Sequence, residues 1–463
     1  MEFLSSIFYF IIVILVLVVI HEWGHFIAAR LTGMRADIFA VGMGRRLFGW
    51  NKKMGFTFGP LPKDYEFDGT TDWRVCLFPI GGYVKIPGMI DESMDDSYDS
   101  GEVKPYEFRA KNTFQKALVL SAGVIMNFIL AVVIFGGIKY FQGDYKSLTN
   151  EIAYVYNDSF ASKIGLMAND KILKINGNKT DTWEDMMFGL SLDNFGNNLN
   201  IEVLRDSSKK QISVNKKQIT KLITNNKKME AGFNQALGID PANCVVVISE
   251  VLSLEPAGRA GLQKNDTLLS LNEDMVTSSS QLVDLINKNV GTITLKYKRG
   301  NRLLNTFVTP DPNTHKIGVY TATIYIGDRK HIDYGFLESA KLGFNQSVEL
   351  VNLIVTSFTE IFRGNIEFSS AVGGPIMIAK QSAKTAEMGL MSFFVFIANL
   401  SISLALINIL PIPALDGGHL IVVIIEGIIR RELPTKVKVI IQNIGMILLF
   451  AFLIFVVYKD IMR

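Results

Sequence analysis

Leu17-Val18-Val19-Ile20-His21-Glu22-Trp23-Gly24-His25 closes an apolar run that begins at Leu4. Seventeen residues without a charge precede the first histidine, so the run predicts a helix that enters a bilayer. Two histidines four apart on a helix project from nearly the same face, because one turn takes about 3.6 residues. Both imidazoles can then reach one metal ion, and the glutamate between them lies beside that ion without binding it. This is the H-E-x-x-H spacing of zinc-dependent hydrolysis, with glutamate as general base. Ionisable groups inside a membrane are costly, so their presence there points to function.

The rest of the chain agrees with a membrane setting. It has 463 residues, 49% of them hydrophobic, with room for several domains. A net charge of +3 gives no argument for nucleic acid. Cys76 and Cys244, the only two cysteines, make neither a disulfide framework nor a zinc ribbon and read as small buried residues. The first two residues carry no lysine or arginine, and no small-residue cleavage site precedes the motif, so the first apolar run reads as a retained helix.

Four segments, roughly 4–27, 116–138, 391–412 and 438–458, are long and apolar enough to span. Lysines and arginines flank them unevenly: Arg30, Arg35, Arg45 and Arg46 after the first, Arg109, Lys111 and Lys116 before the second, Arg430, Arg431 and Lys436 between the last two. These ends should face the cytoplasm. The stretch 141–390 then lies outside. His21 falls about 26 Å along its helix from Leu4, so the metal site is expected towards the cytoplasmic side.

Residues 35–90 are rich in glycine and alternating patterns, as in Trp73-Arg74-Val75-Cys76-Leu77-Phe78 and Gly81-Gly82-Tyr83-Val84-Lys85, and predict a small sheet. Such backbone enters a membrane only where protein or a wet cavity satisfies it; otherwise it is a cytoplasmic loop. Asp91–Asp99 reads as a solvated acidic loop. In the second apolar segment Ala122, Gly123 and Asn127 suit close helix packing and a polar contact between helices.

The outer region repeats. Residues 162–177 align with 258–273, an offset of about one small domain, each with a small-residue turn, an Asn-Asp turn (Asn169, Asn265) and a strand. Helices are expected at Trp183–Leu190 and Ser280–Lys288, and strands at Leu199–Leu204 and Thr292–Tyr297. The pattern resembles tandem PDZ domains over roughly 145–235 and 238–322, with asparagine in place of the usual glycine of the Gly-Asp turn. Such domains bind extended peptides at a sheet edge, or here act as a steric filter. Residues 334–363 read as an amphipathic helix whose Leu337, Phe344, Val348, Val351 and Val355 share one face, either on the outer membrane surface or against the second PDZ-like domain.

The third apolar segment runs into Asn408-Ile409-Leu410-Pro411-Ile412-Pro413-Ala414-Leu415-Asp416-Gly417-Gly418-His419. Two prolines and two glycines predict an unwound stretch carrying a carboxylate. Catalytic zinc wants three protein ligands and one open position, and His21, His25 and Asp416 supply three. His419 is the rival third ligand, and a helix cap the alternative role for Asp416. Asn408 either donates to a substrate carbonyl or bridges helices.

H-E-x-x-H in the first membrane helix with L-D-G in a later one resembles the site-2 protease family of intramembrane zinc metalloproteases, over nearly the whole chain. The resemblance implies His21, His25 and Asp416 as ligands of one Zn2+ and Glu22 as base. Asn408 matches the family's Asn-x-x-Pro-x-Pro-x-Leu-Asp-Gly run, and Gly81-Gly82-Tyr83 its re-entrant β-loop, both as substrate-binding elements. Val124 departs from the proline often found after Ala-Gly. The implied fold is a polytopic α-helical membrane protein with four transmembrane helices, a membrane-associated β-loop and two inserted α+β PDZ-like domains. Its parts run 1–34 (first membrane helix), 35–111 (β-loop region), 112–143 (second helix), 144–236 and 237–322 (PDZ-like), 323–388 (amphipathic helix and connection), 389–431 (third helix) and 432–463 (fourth). The implied substrates are single-pass membrane proteins in the bacterial inner membrane: an anti-sigma factor trimmed beforehand on the outer side, whose cleavage turns on envelope-stress transcription, and remnant signal peptides. The competing classes are a membrane-anchored PDZ scaffold without catalysis and, more weakly, a metal transporter.

Overall fold

The uncharged run from Leu4 continues through the histidines as one helix, α1 (Glu2–Leu31), and the capping box at Asn112 and Gln115 opens a second, α2 (Thr113–Gln142). The computed structural model describes residues 2–62, 64–89, 103–190, 198–216, 237–289, 291–363 and 373–462; the acidic stretch 91–99 lies outside them. It divides into two units, Met1–Gly143 with Asp333–Arg463, and Asp144–Ile332.

In the first unit α1 and α2 are joined by α3 (Phe336–Phe362), α4 (Pro375–Glu387), α5 (Leu390–Ile409), α6 (Asp416–Ile429) and α7 (Thr435–Met462). Four of these, α1, α2, α5 and α7, are long and apolar enough to cross a membrane. The α1 and α2 backbones approach closely: a Cβ on Gly24 would lie 2.3 Å from the Ala122 carbonyl oxygen. Val13 and Leu17 of α1 pack with Phe393 and Ile397 of α5, and Ala131 and Phe135 of α2 pack with Ala398 and Ile402.

Residues 35–90 form β1 (Ile38–Asn51), β2 (Gly55–Phe58) and β3 (Asp72–Lys85). β1 and β3 bend, so Phe39 pairs with both Val84 and Trp73, and Phe48 with both Val75 and Phe58. Gly82–Lys85 thereby sits at a sheet edge, and among the described residues no further strand pairs with it. Trp23 and Phe26 of α1 stack against Phe39 and Trp73, which fixes the sheet on the motif-bearing turn. Inside the sheet the fully buried Asp72 carboxylate accepts from Arg46, Asn51 and Arg74, so its charge is matched.

Two expectations for residues 334–388 change. The helix α3 packs on α2 and α5, with the small residues Ser339, Gly343 and Ser347 buried and part of its apolar stripe beside them: Phe344 meets Phe128 and Val351 packs against the α2–α5 core, while Leu337 is 82% exposed. A Cβ on Gly343 would lie 2.4 Å from the Gly136 nitrogen. Between apolar helices close backbone approach wins over bulk. The connection after Gly374 is also a helix, α4, seated on α1; its first backbone N–H groups at Ile376 and Met377, with that of Gly374, donate to Asp460 at the end of α7.

In the second unit the repeat is structural. Asn169 and Asn265 both take positive φ (68° and 71°), as asparagine tolerates. Each following aspartate is buried and accepts two bonds from one arginine, Asp170 from Arg205 and Asp266 from Arg299. Strands Lys171–Ile175 and Thr267–Leu271 follow, then helices Trp183–Gly189 and Ser279–Lys288, within a residue of expectation. Each half has its own core, around Ile172, Ile201 and Leu199 in one and Val246, Leu268 and Leu295 in the other. Strand Asp144–Ser147 pairs with Arg329–Ile332, so the two ends of this unit meet.

Candidate metal centre

All the site elements belong to the first unit. His21 and His25 lie one turn apart on α1, both buried, with their Nε2 atoms 3.2 Å apart. Asp416 arrives from the other end of the sequence. Helix α5 stops at Ile409, the two prolines keep residues 410–415 out of helix, and α6 starts at Asp416. The carboxylate therefore heads a new helix; it does not sit on the unwound stretch itself. Ala414, two residues before it, is held at φ 75°, a strained conformation for a residue with a Cβ. Gly417 lets α6 seat against the unwound backbone, since a Cβ there would lie 2.3 Å from the carbonyl oxygens of Ile409 and Leu410.

Asp416 Oδ2 lies 3.0 Å from His21 Nε2 and 3.5 Å from His25 Nε2. The three side chains each offer one ligand atom, all within 4.8 Å of one another; among the described residues this is the one such group found. Asp416 Oδ2 is buried and, beside the two imidazole nitrogens, has no hydrogen-bond donor among the described residues, which suits an oxygen facing a cation. The far nitrogen of each histidine is also engaged, His25 Nδ1 at 2.8 Å from the Val119 carbonyl oxygen and His21 Nδ1 at 3.2 Å from the Asn127 amide. Metal-bound histidines are held in this way. Two imidazoles, one carboxylate and an open side fit a catalytic zinc.

A partly open pocket lies against this group. Glu22, Tyr83, Val84, Ile86, Met89 and His419 complete its walls. Gly82 packs on Glu22, where a Cβ would lie 3.3 Å from the Glu22 Cγ, so the edge strand runs past the glutamate. Gly81 is turned the other way, against Met43. Asn408 Nδ2 sits 3.3 Å from His21 Nε2. His419 lines the pocket but falls outside the ligand group. A second, mostly apolar cavity shares Met89, Ala414 and His419 with the first. Sequence reasoning did not single out Val119, and it left Asn127 as a helix contact.

Helices of membrane-spanning length around a two-histidine, one-carboxylate cluster with a glutamate beside it define the class: a membrane metallopeptidase. Residues 9–452 match the model of Peptidase family M50, and the chain belongs to that family. A regulator of sigma E protease from Haemophilus influenzae is 29% identical over 481 residues, covering all of both chains. A putative zinc metalloprotease from Vibrio cholerae is 28% identical over 467 residues, 98% of each chain. The regulator of sigma-E protease RseP of Escherichia coli is 27% identical over 480 residues, again covering all of both.

Proposed function

We propose that the chain is an intramembrane zinc endopeptidase that cuts the transmembrane segment of single-pass membrane proteins. The observation that carries this reading is the convergence of His21, His25 and Asp416 on the wall of a pocket that Glu22 shares. Relatives named as zinc metalloproteases support the choice of metal. Bound by these three residues, zinc supplies Lewis acidity, which favours ionisation of water near neutral pH and polarises a carbonyl.

The other roles fall to the chain. A peptide bond within a helix has its carbonyl already hydrogen-bonded, so the substrate must be locally extended before hydrolysis. The sheet edge at Gly82–Lys85 pairs with that extended segment by strand addition, with Tyr83 and Val84 lining the pocket. Glu22 takes the proton of the attacking water and returns one to the leaving amine. The Asn408 amide donates to the oxygen on which charge develops. Gly81 shapes the bend of β3 through its packing on Met43.

By similarity to the sigma E regulators, the substrate is an anti-sigma factor already trimmed on the outer side, and remnant signal peptides form a second class. The lysine and arginine bias supports a site towards the cytoplasmic face of the inner membrane, with residues 144–332 in the periplasm. There the two halves act as PDZ-like domains that exclude substrates with bulky outer parts. The reading is tested with purified protein and a tagged single-pass reporter lacking its outer domain: cleavage should stop with chelator and return with zinc. Because the ends of the 144–332 unit meet, it can be replaced by a short linker. That deletion should permit cleavage of untrimmed substrate; unchanged selectivity would sink the filter.

A further inference from the structure

His21 and His25 are backed by one stripe of α2. Val119, Gly123 and Asn127 recur every fourth residue and share a face, with the antiparallel α1 bringing His25 to Val119 and His21 to Asn127. Val119 offers a carbonyl, which only accepts. A neutral His25 then carries its proton on Nδ1 and turns an unprotonated Nε2 towards Asp416.

At His21 the partner is an amide, and its orientation matters. With Nδ2 of Asn127 towards His21 Nδ1, the imidazole proton would have to sit on Nε2, the atom 3.0 Å from Asp416 Oδ2. A nitrogen so protonated has no lone pair for a metal. The same orientation leaves Asn127 Oδ1, on a fully buried side chain, without a partner among the described residues. Half a turn of the amide exchanges the two atoms without moving the backbone. Oδ1 then accepts from His21 Nδ1–H, and Nε2 is free to ligate. The backbone of Asn127 is itself held, because Ser401 on α5 donates to its carbonyl at 2.8 Å.

We propose that Asn127 is a positioning residue of the metal centre: its amide oxygen accepts the Nδ1 proton of His21 and fixes the tautomer whose Nε2 binds metal. This rests on the reading of His21, His25 and Asp416 as ligands. It makes α2 a two-point template, with a carbonyl behind one histidine and an amide oxygen behind the other.

The test measures zinc affinity of the full-length, detergent-solubilised protein by competition with a chromogenic chelator after metal stripping. The absorption spectrum of the Co2+-substituted protein reports the ligand set. Asn127→Leu, similar in volume but without an acceptor, should weaken zinc binding about 10–100-fold and alter the Co2+ spectrum. Asn127→Asp keeps an acceptor and should stay close to wild type in both. Wild-type affinity in Asn127→Leu would overturn the inference, and so would an equal loss in Asn127→Asp, which would mark a packing role. Should Asn127→Leu fail to fold, Asn127→Ala takes its place. His21→Ala separates the two claims. If wild type binds stoichiometric zinc and His21→Ala loses it while Asn127→Leu keeps it, only the role of Asn127 falls. If His21→Ala binds as wild type does, the ligand reading falls with it.

Discussion

Gly123→Ala adds one methyl group between the two imidazoles. Its Cβ would lie 2.5 Å from His25 Nε2, 2.6 Å from His21 Cε1 and 2.7 Å from His21 Nε2, where ordinary contact begins near 3.4 Å. The rings must therefore retreat by roughly 0.7–0.9 Å, since carbon contacts are optimal only near 3.5–4.0 Å. Little can absorb this. His25 is held at Val119 on the same helix, and Gly24 already lies against the Ala122 carbonyl. Zinc–nitrogen bonds of about 2.0–2.1 Å tolerate about 0.2 Å, so the shift is several times what a ligand allows. Zinc affinity should fall at least ~100-fold, about 2.8 kcal/mol at ~1.4 kcal/mol per decade. Overpacking should also cost the metal-free protein about 1–3 kcal/mol. Chelator competition reads the first effect and thermal unfolding the second. Gly137→Ala is the control, because nothing lies within 4 Å of its added Cβ on the same helix; it should leave zinc binding unchanged. Gly123→Ala with wild-type affinity would refute the placement of the metal between these rings.

Two further outcomes follow from other parts of the molecule. Asp460→Ala strips the acceptor from three backbone N–H groups at the start of α4, and should cost about 0.5–2 kcal/mol locally, seen as faster amide exchange at Ile376 and Met377. In the second unit, burial raises the carboxyl pKa of Asp240 against the lowering effect of Ser278 and Tyr156, and its Oδ2 has no partner among the described residues. A carboxyl with a raised folded pKa stabilises the fold below its unfolded pKa of ~3.9 and loses that contribution as pH rises through the folded value. Asp240→Asn should accordingly raise the unfolding temperature at pH 7, with the gain shrinking as pH falls towards ~4; a gain that grows on acidification would contradict this.

The candidate site was legible through residue types that membranes rarely tolerate. H-E-x-x-H and Leu-Asp-Gly stand out because an apolar run surrounds each, and proline alone sufficed to break α5 ahead of Asp416. The Asn-Asp turns were equally legible, since Asn169 and Asn265 occupy positive φ that few residues accept. What escaped depends on partners distant in sequence. The packing face of α3 is set partly by Gly136 across the helix interface, so its apolar stripe pointed to only part of it, Phe344 and Val351. Helix α4 hides behind Gly373-Gly374-Pro375, and its N-terminus is satisfied by Asp460 from α7, which no local cap reveals. Val119 acts through its carbonyl, which has no side-chain signature at all.

The central claim is that Glu22 handles protons beside a metal held by other residues. The most direct measurement compares wild type with Glu22→Gln for cleavage of the single-pass reporter and for bound zinc in the same preparations. Equal zinc with cleavage reduced about 10²–10⁴-fold in Glu22→Gln is the expected result. Undiminished cleavage by Glu22→Gln at equal zinc, or no cleavage by a folded, zinc-loaded wild type, would contradict the account.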